Sequence, residues 1–223
     1  KSRVSVIPFE PLKEIKDNTF LTNSDKYIKE KFKIKNNFIF YPAQFWPHKN
    51  HIYILKAIYL LEKKYNILID VIFSGGDKGH KKNIQNYANK LCISDRVIFT
   101  GFIPNQELIS IYKMSIALVM PTFFGPTNIP PLEAFKLGIP VIYPNLKGLK
   151  EQVKKSGLLV DLYDPETLST CILDLIRNKN LRNDLIDRGF KLSQEIAKIN
   201  RVKTLNKILK KFTIKFNALR EIN

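Results

Sequence analysis

The sequence predicts an α/β fold, a doubly wound parallel sheet with helices on both faces. Three observations lead there. From residue 38 to about residue 197, short apolar runs alternate with longer amphipathic stretches. The runs are apolar throughout instead of at every second position, as strands buried on both faces require. The loops after the first four runs hold the most unusual short stretches of the chain, PAQFWPHKN, GGDKG, FIPNQ and TFFGPTNIPP. Those are the carboxyl ends of the strands, where open α/β sheets bind their ligands.

Taken in order, FIFYP (38–42) is the first strand, followed by a helix over about 49–64. ILIDVIFSG (67–75) is the second strand, with a helix over about 78–91 after it. RVIFTGF (96–102) is the third, followed by a helix from Pro104 to about Met114. IALVMP (116–121) leads to a short helix from Pro131, and IPVIYP (139–144) to a helix from about Lys147. GLLV (157–160) and helices over about 165–197 complete a Rossmann-like domain spanning 38–197. Residues 1–37 read as a linker or N-terminal extension, with one strand in VSVIPFEPL and one short helix in DKYIKEKF. Residues 198–223 read as a basic helical extension.

Composition narrows the class. A chain of 223 residues, 44% apolar, has ample material for a core. The formal charge is +17, from 37 Lys and Arg against 20 Asp and Glu. It fits an anionic partner such as a phosphorylated small molecule, an acidic lipid surface or nucleic acid, and it equally fits a lysine-rich coding bias. Cys92 and Cys171 lie far apart in apolar helical patterns and form no disulfide framework, which fits a reducing cytoplasm. No apolar run approaches the ~20 residues of a membrane span, so the expected position is cytoplasmic, or peripheral to the inner face of the membrane. His48, His51 and His80 lack clustered partners, and no metal is expected.

The chemistry concentrates in the loops. Pro130 and Pro131 pre-set a helix start and carry no N–H, which leaves the amides of Asn128, Ile129 and Leu132 as donors toward an anion such as a phosphate. Glu133, in the first turn, can accept two hydrogen bonds from a vicinal diol such as ribose; it can equally be an ordinary first-turn acid. Lys49, beside the opening turn of a helix, is badly placed against the dipole unless an anion lies between, or it is a solvated lysine. Gly75 and Gly76 let backbone approach a ligand, and Phe102 and Ile103 form a wall against which a planar base could lie. Taken singly, these last two pairs read as a turn and as core packing.

The ordered segments YPAQFWPHKN, IFSGGDKG, DRVIFTGFIPNQELISIYKMS, PTFFGPTNIPPLEAFKLGIPVI and GLLVDLYDPETL resemble the C-terminal, donor-binding domain of family 4 glycosyltransferases of the GT-B fold. The resemblance covers about residues 38 to 195. It implies a nucleotide-diphosphate sugar as donor substrate, transfer with retention of configuration, no cofactor or metal, and an acceptor domain preceding residue 1. An Arg and a Lys five apart bind the diphosphate in this family, and here those positions hold Gln44 and Lys49. Two glutamates eight apart flank the sugar and ribose; the second is Glu133, and the first position is Gly125. Asn128 and Ile129 correspond to backbone contacts to phosphate and sugar, Phe102 and Ile103 to the base frame, and Gly75 and Gly76 to the nucleotide-facing loop. Gln44 offers only a neutral hydrogen bond, and Gly125 cannot reach the sugar, a role that Thr127 or a water could take. These departures keep open a non-catalytic, nucleotide-sugar-binding regulatory subunit. A nucleic-acid module rests on charge alone, because no stacked-aromatic or groove-reading motif is present.

Overall fold

In the computed structural model, residues 7, 9, 24–125 and 128–220 are described. Six parallel strands form one sheet in the order β3-β2-β1-β4-β5-β6. They are β1 Phe38–Pro42, β2 Asp70–Ser74, β3 Val97–Gly101, β4 Leu118–Val119, β5 Val141–Pro144 and β6 Gly157–Val160. The chain builds outward from β1 to β3, crosses back, and builds outward again from β4 to β6. The strand order therefore reverses between β1 and β4, and a crevice opens beyond their carboxyl ends.

The helices are α1 Ser24–Phe32, α2 His51–Tyr65, α3 Lys81–Lys90, α4 Asn105–Met114, α5 Ile129–Leu137, α6 Lys150–Val153, α7 Pro165–Arg177, α8 Lys179–Ala197 and α9 Arg201–Arg220. Packing of α2 on α3 and α7 covers one face of the sheet, and the series α1, α4, α5, α8 covers the other. With both faces covered, successive strand residues are buried whichever way they point. Phe38, Ile39, Phe40 and Tyr41 are each at most 2% exposed, which explains the unbroken apolar runs.

At the amino end of the sheet, the Asp70 carboxylate accepts the Lys35 and Asn36 backbone N–H groups, both at 3.1 Å, and Asn36 Nδ2 at 2.8 Å. This ties the chain entering β1 to the start of β2. Helix α1 falls where DKYIKEKF is expected, and it packs on α4 through buried Ile28 and the Lys31–Glu107 ion pair at 2.6 Å. The packed body thus reaches back to Ser24, into the stretch read from sequence as an extension. The strand expected in VSVIPFEPL falls largely outside the described residues, and Thr127 lies outside them as well.

Candidate functional site

Two loops meet at the crevice. The first leaves β1, and its central feature is a 3-10 turn, Pro47–Lys49. Asn50 then adopts the left-handed conformation (φ 57°, ψ 40°), which Asn tolerates better than most residues, and α2 starts afresh at His51. Lys49 therefore stands in a turn of its own, ahead of the helix in which the sequence places it. The buried Tyr41 phenol donates to the Lys49 carbonyl at 3.0 Å and pins the turn to the sheet. The Lys49 ammonium is half-buried, has no ion-pair partner among the described residues, and has its pKa lowered by desolvation. A desolvated, uncompensated cation is costly and is at its best beside an anion.

The second loop leaves β4. Its Phe123 N–H donates to the His48 carbonyl at 3.0 Å, which joins the two loops directly across the switch point. Rings line the join: Trp46 stacks on His48 at 6.3 Å, and His48 lies 4.3 Å from Phe124. A third loop supports the first. A Cβ on Gly75 would stand 2.4 Å from the Ala43 carbonyl oxygen, so only glycine permits this approach. Phe45 N–H donates to the Gly76 carbonyl at 3.0 Å. Gly75 thus faces backbone, whereas the Cβ side of Gly76 is open.

Helix α5 begins at Ile129, two residues before Pro131, with Pro130 and Pro131 inside its first turn. Glu133 is accordingly the fifth helical residue, beyond the first turn to which the sequence assigns it. Leu132, buried and fourth, lies where the helix ladder takes up the amide. The amide of Asn128 donates to Gln152 Oε1 at 3.4 Å. Of the three amides expected to be open, Ile129 alone keeps its N–H unbonded among the described residues. Glu133 is 6% exposed, its Oε2 accepts the buried Tyr112 hydroxyl at 2.9 Å, and its Oε1 has no partner among the described residues. Burial pushes its pKa up, partly offset by the Tyr112 hydrogen bond.

Beyond β3, Phe102 is 93% exposed whereas Ile103 is 6% exposed and packs into the core. The expected two-residue wall is therefore a single aromatic ring, because Ile103 turns inward just before Pro104 opens α4. Gln44 is exposed, and its Oε1 accepts Trp46 Nε1–H at 3.1 Å, which leaves its NH2 group unengaged. Gly125 lies on the β4 loop beside the Asn128 side chain. No group of metal-binding side chains occurs among the described residues.

Sequence reasoning missed Tyr112, Tyr143, Gln152 and His51. Tyr143 Oη accepts from Asn128 Nδ2 and donates to Gln152, and His51 is fully buried against Tyr41, Phe45 and Phe73. The two tyrosines leave a signal: a tyrosine inside a buried run must deliver its hydroxyl to some polar atom.

This arrangement defines a doubly wound α/β domain whose switch point brings together a half-buried lysine with no ion-pair partner among the described residues and the loop that leads into a helix N-terminus. Residues 23–192 match the family model described as "Glycosyl transferases group 1", and the chain belongs to that family, of the GT-B fold. It is 25% identical over 151 residues to O-antigen chain mannosyltransferase B of Escherichia coli, covering 68% of this chain and 40% of that protein. It is 32% identical over 138 residues to a D-inositol 3-phosphate glycosyltransferase of Corynebacterium urealyticum, covering 59% of this chain and 32% of that one. Among solved structures, a Rickettsia africae glycosyltransferase superposes with a TM-score of 0.78 at 17% identity, over 92% of this chain and 57% of its own. Anabaena Alr3699/HepE in complex with UDP-glucose superposes with a TM-score of 0.74 at 16% identity, over 92% and 56%. The chain spans less than half the length of these two sequence relatives and a little over half that of the solved structures.

Proposed function

We propose that this chain is the donor-binding half of a retaining glycosyltransferase and that the crevice between β1 and β4 holds a nucleotide-diphosphate sugar. The observation that carries the reading is Lys49, half-buried without a counter-charge among the described residues, in a loop hydrogen-bonded to the one that leads into α5. A diphosphate there would compensate the ammonium, with the Ile129 amide and the Gln44 NH2 as neutral donors. Glu133 Oε1 would accept from the ribose diol, and Phe102 and the open side of Gly76 would face the base. During transfer, negative charge grows on the departing diphosphate, and fixed donors aimed at it lower the barrier. Acceptor-binding groups would come from a domain outside this one. The basic helix α9 supports a peripheral position on an anionic, cytoplasm-facing membrane surface.

Calorimetry with UDP, GDP and ADP tests the donor site. At least one should bind, and Lys49→Ala should weaken it by about 1–3 kcal/mol, the range of charge-assisted hydrogen bonds, while the nucleoside without phosphates is unaffected. Lys90→Ala, at an exposed lysine on α3, serves as the control. Equal losses for the two variants would mean that bulk charge alone attracts the ligand. A second reading, a non-catalytic nucleotide-sugar-binding subunit, is favoured by the uncharged Gln44 and Gly125 positions; absence of sugar transfer by the full-length protein would select it.

A further inference from the structure

We propose that Lys78, on the loop after β2, brings a second positive charge to the diphosphate, acting beside Lys49. This rests on the nucleotide-sugar reading given above. In a nucleotide sugar each phosphate carries a negative charge near neutral pH. Lys49 balances one of them, while the Ile129 amide and the Gln44 NH2 are neutral donors. A partly buried anion is best held when its whole charge is matched, so the crevice calls for another cation.

The contacts of Lys78 lead to that place. Its Nζ lies over the Trp46 ring, 6.0 Å from the centroid. The same indole donates its Nε1–H to Gln44 Oε1 at 3.1 Å and stacks at 6.3 Å on His48, the residue before Lys49. The ammonium therefore rests on the ring that touches both Gln44 and the Lys49 turn.

The root of this side chain is fixed and its tip is not. Phe45 N–H donates to the Gly76 carbonyl at 3.0 Å, and Phe45 pairs with Asp77 in a parallel bridge, which ties the residue before Lys78 to the loop after β1. Asp77 Oδ1 accepts the Gly79 N–H at 2.9 Å and the Lys81 N–H at 3.2 Å. The neighbouring acid is thus turned to the backbone of its own loop. Lys78 is exposed and has no ion-pair partner among the described residues. A ring that is itself 41% exposed holds a cation weakly, whereas a phosphate offers a charge-assisted hydrogen bond. The ammonium can leave the indole for the ligand.

The test is calorimetry on the 223-residue chain with UDP, GDP and ADP, each beside its nucleoside. Lys78→Ala should weaken the diphosphate that binds best by about threefold to tenfold, between the scale of an exposed ion pair and that of a charge-assisted hydrogen bond, and leave its nucleoside within about twofold. Lys90→Ala should stay within about twofold for both. Adding Gln44→Arg to Lys78→Ala restores a cation against the same indole and should recover most of the loss. Thermal melting confirms that each variant is folded. A loss no greater than that of Lys90→Ala, an equal loss for the nucleoside, or a loss that Gln44→Arg does not reduce would each overturn the role of Lys78, and a selective loss for Lys49→Ala would leave the donor site standing. No binding of any diphosphate to the unaltered chain would overturn both.

Discussion

At Glu133, stability and binding make opposite demands. Burial raises its pKa, so the fold favours the protonated acid, whereas a ribose-binding role needs the charged acceptor. The sign follows from linkage. For an acid whose folded pKa is raised, the stabilising contribution is present below the ordinary glutamate range and is lost as pH rises through the raised value. Glu133→Gln, neutral throughout, should therefore lose less thermal stability than the unaltered chain as pH rises above the ordinary glutamate range. The same variant should weaken nucleotide binding by about 1–3 kcal/mol. Melting temperatures across that rise, with calorimetry at neutral pH, check both; an unchanged pH slope with unchanged affinity would leave Glu133 no role. The carboxylate was legible in the sequence because an acid among PPLEAF is out of place in an apolar helix. Tyr112, 21 positions earlier, was not, because a hydrogen bond between two helices depends on how they pack.

Elements were legible where burial and regular structure coincide. FIFYP and GLLV are strands over the residues read from sequence, 38–42 and 157–160. IALVMP forms regular strand only at Leu118–Val119, although the Ile116 and Met120 N–H groups also donate to Phe38 and Ile142 of the flanking strands, so the run lies in the sheet over more of its length than the regular strand shows. The stretch from Lys147 gives one helical turn, Lys150–Val153, set between Gly148 at φ 89° and Lys154 at φ 49°, conformations a helix cannot continue through. Helix α9 was legible from its pattern, and the pattern makes a prediction. Val202, Leu205, Leu209 and Phe212 recur at helical spacing and are each 47% exposed or more, and the helix holds five lysines and arginines before Phe212 with no acid. Lys207→Glu, Lys210→Glu and Lys211→Glu together should abolish sedimentation with phosphatidylglycerol vesicles, which the unaltered chain should show at low salt and lose at high salt. Equal sedimentation with phosphatidylcholine vesicles would remove charge from the account.

Across the whole molecule, the alternation of strand and helix gave the fold class, but not the strand order, which depends on contacts far apart in sequence. The order decides that loops about 75 residues apart, after β1 and β4, share one crevice, as the Thr122 to His48 pairing displays. Since the Phe123 N–H to His48 carbonyl bond closes within the protein alone, this join between the two loops stands without a ligand, and binding of the proposed nucleotide should need little ordering at Phe123. Deuterium exchange should then find the Phe123 amide already protected in the free chain, with little further slowing when nucleotide is added. Rapid exchange that stops only on nucleotide addition would instead describe a loop that closes around its guest. A preassembled crevice changes the kinetics as well: association should follow a single step whose rate rises linearly with nucleotide concentration, with no slow isomerisation behind it.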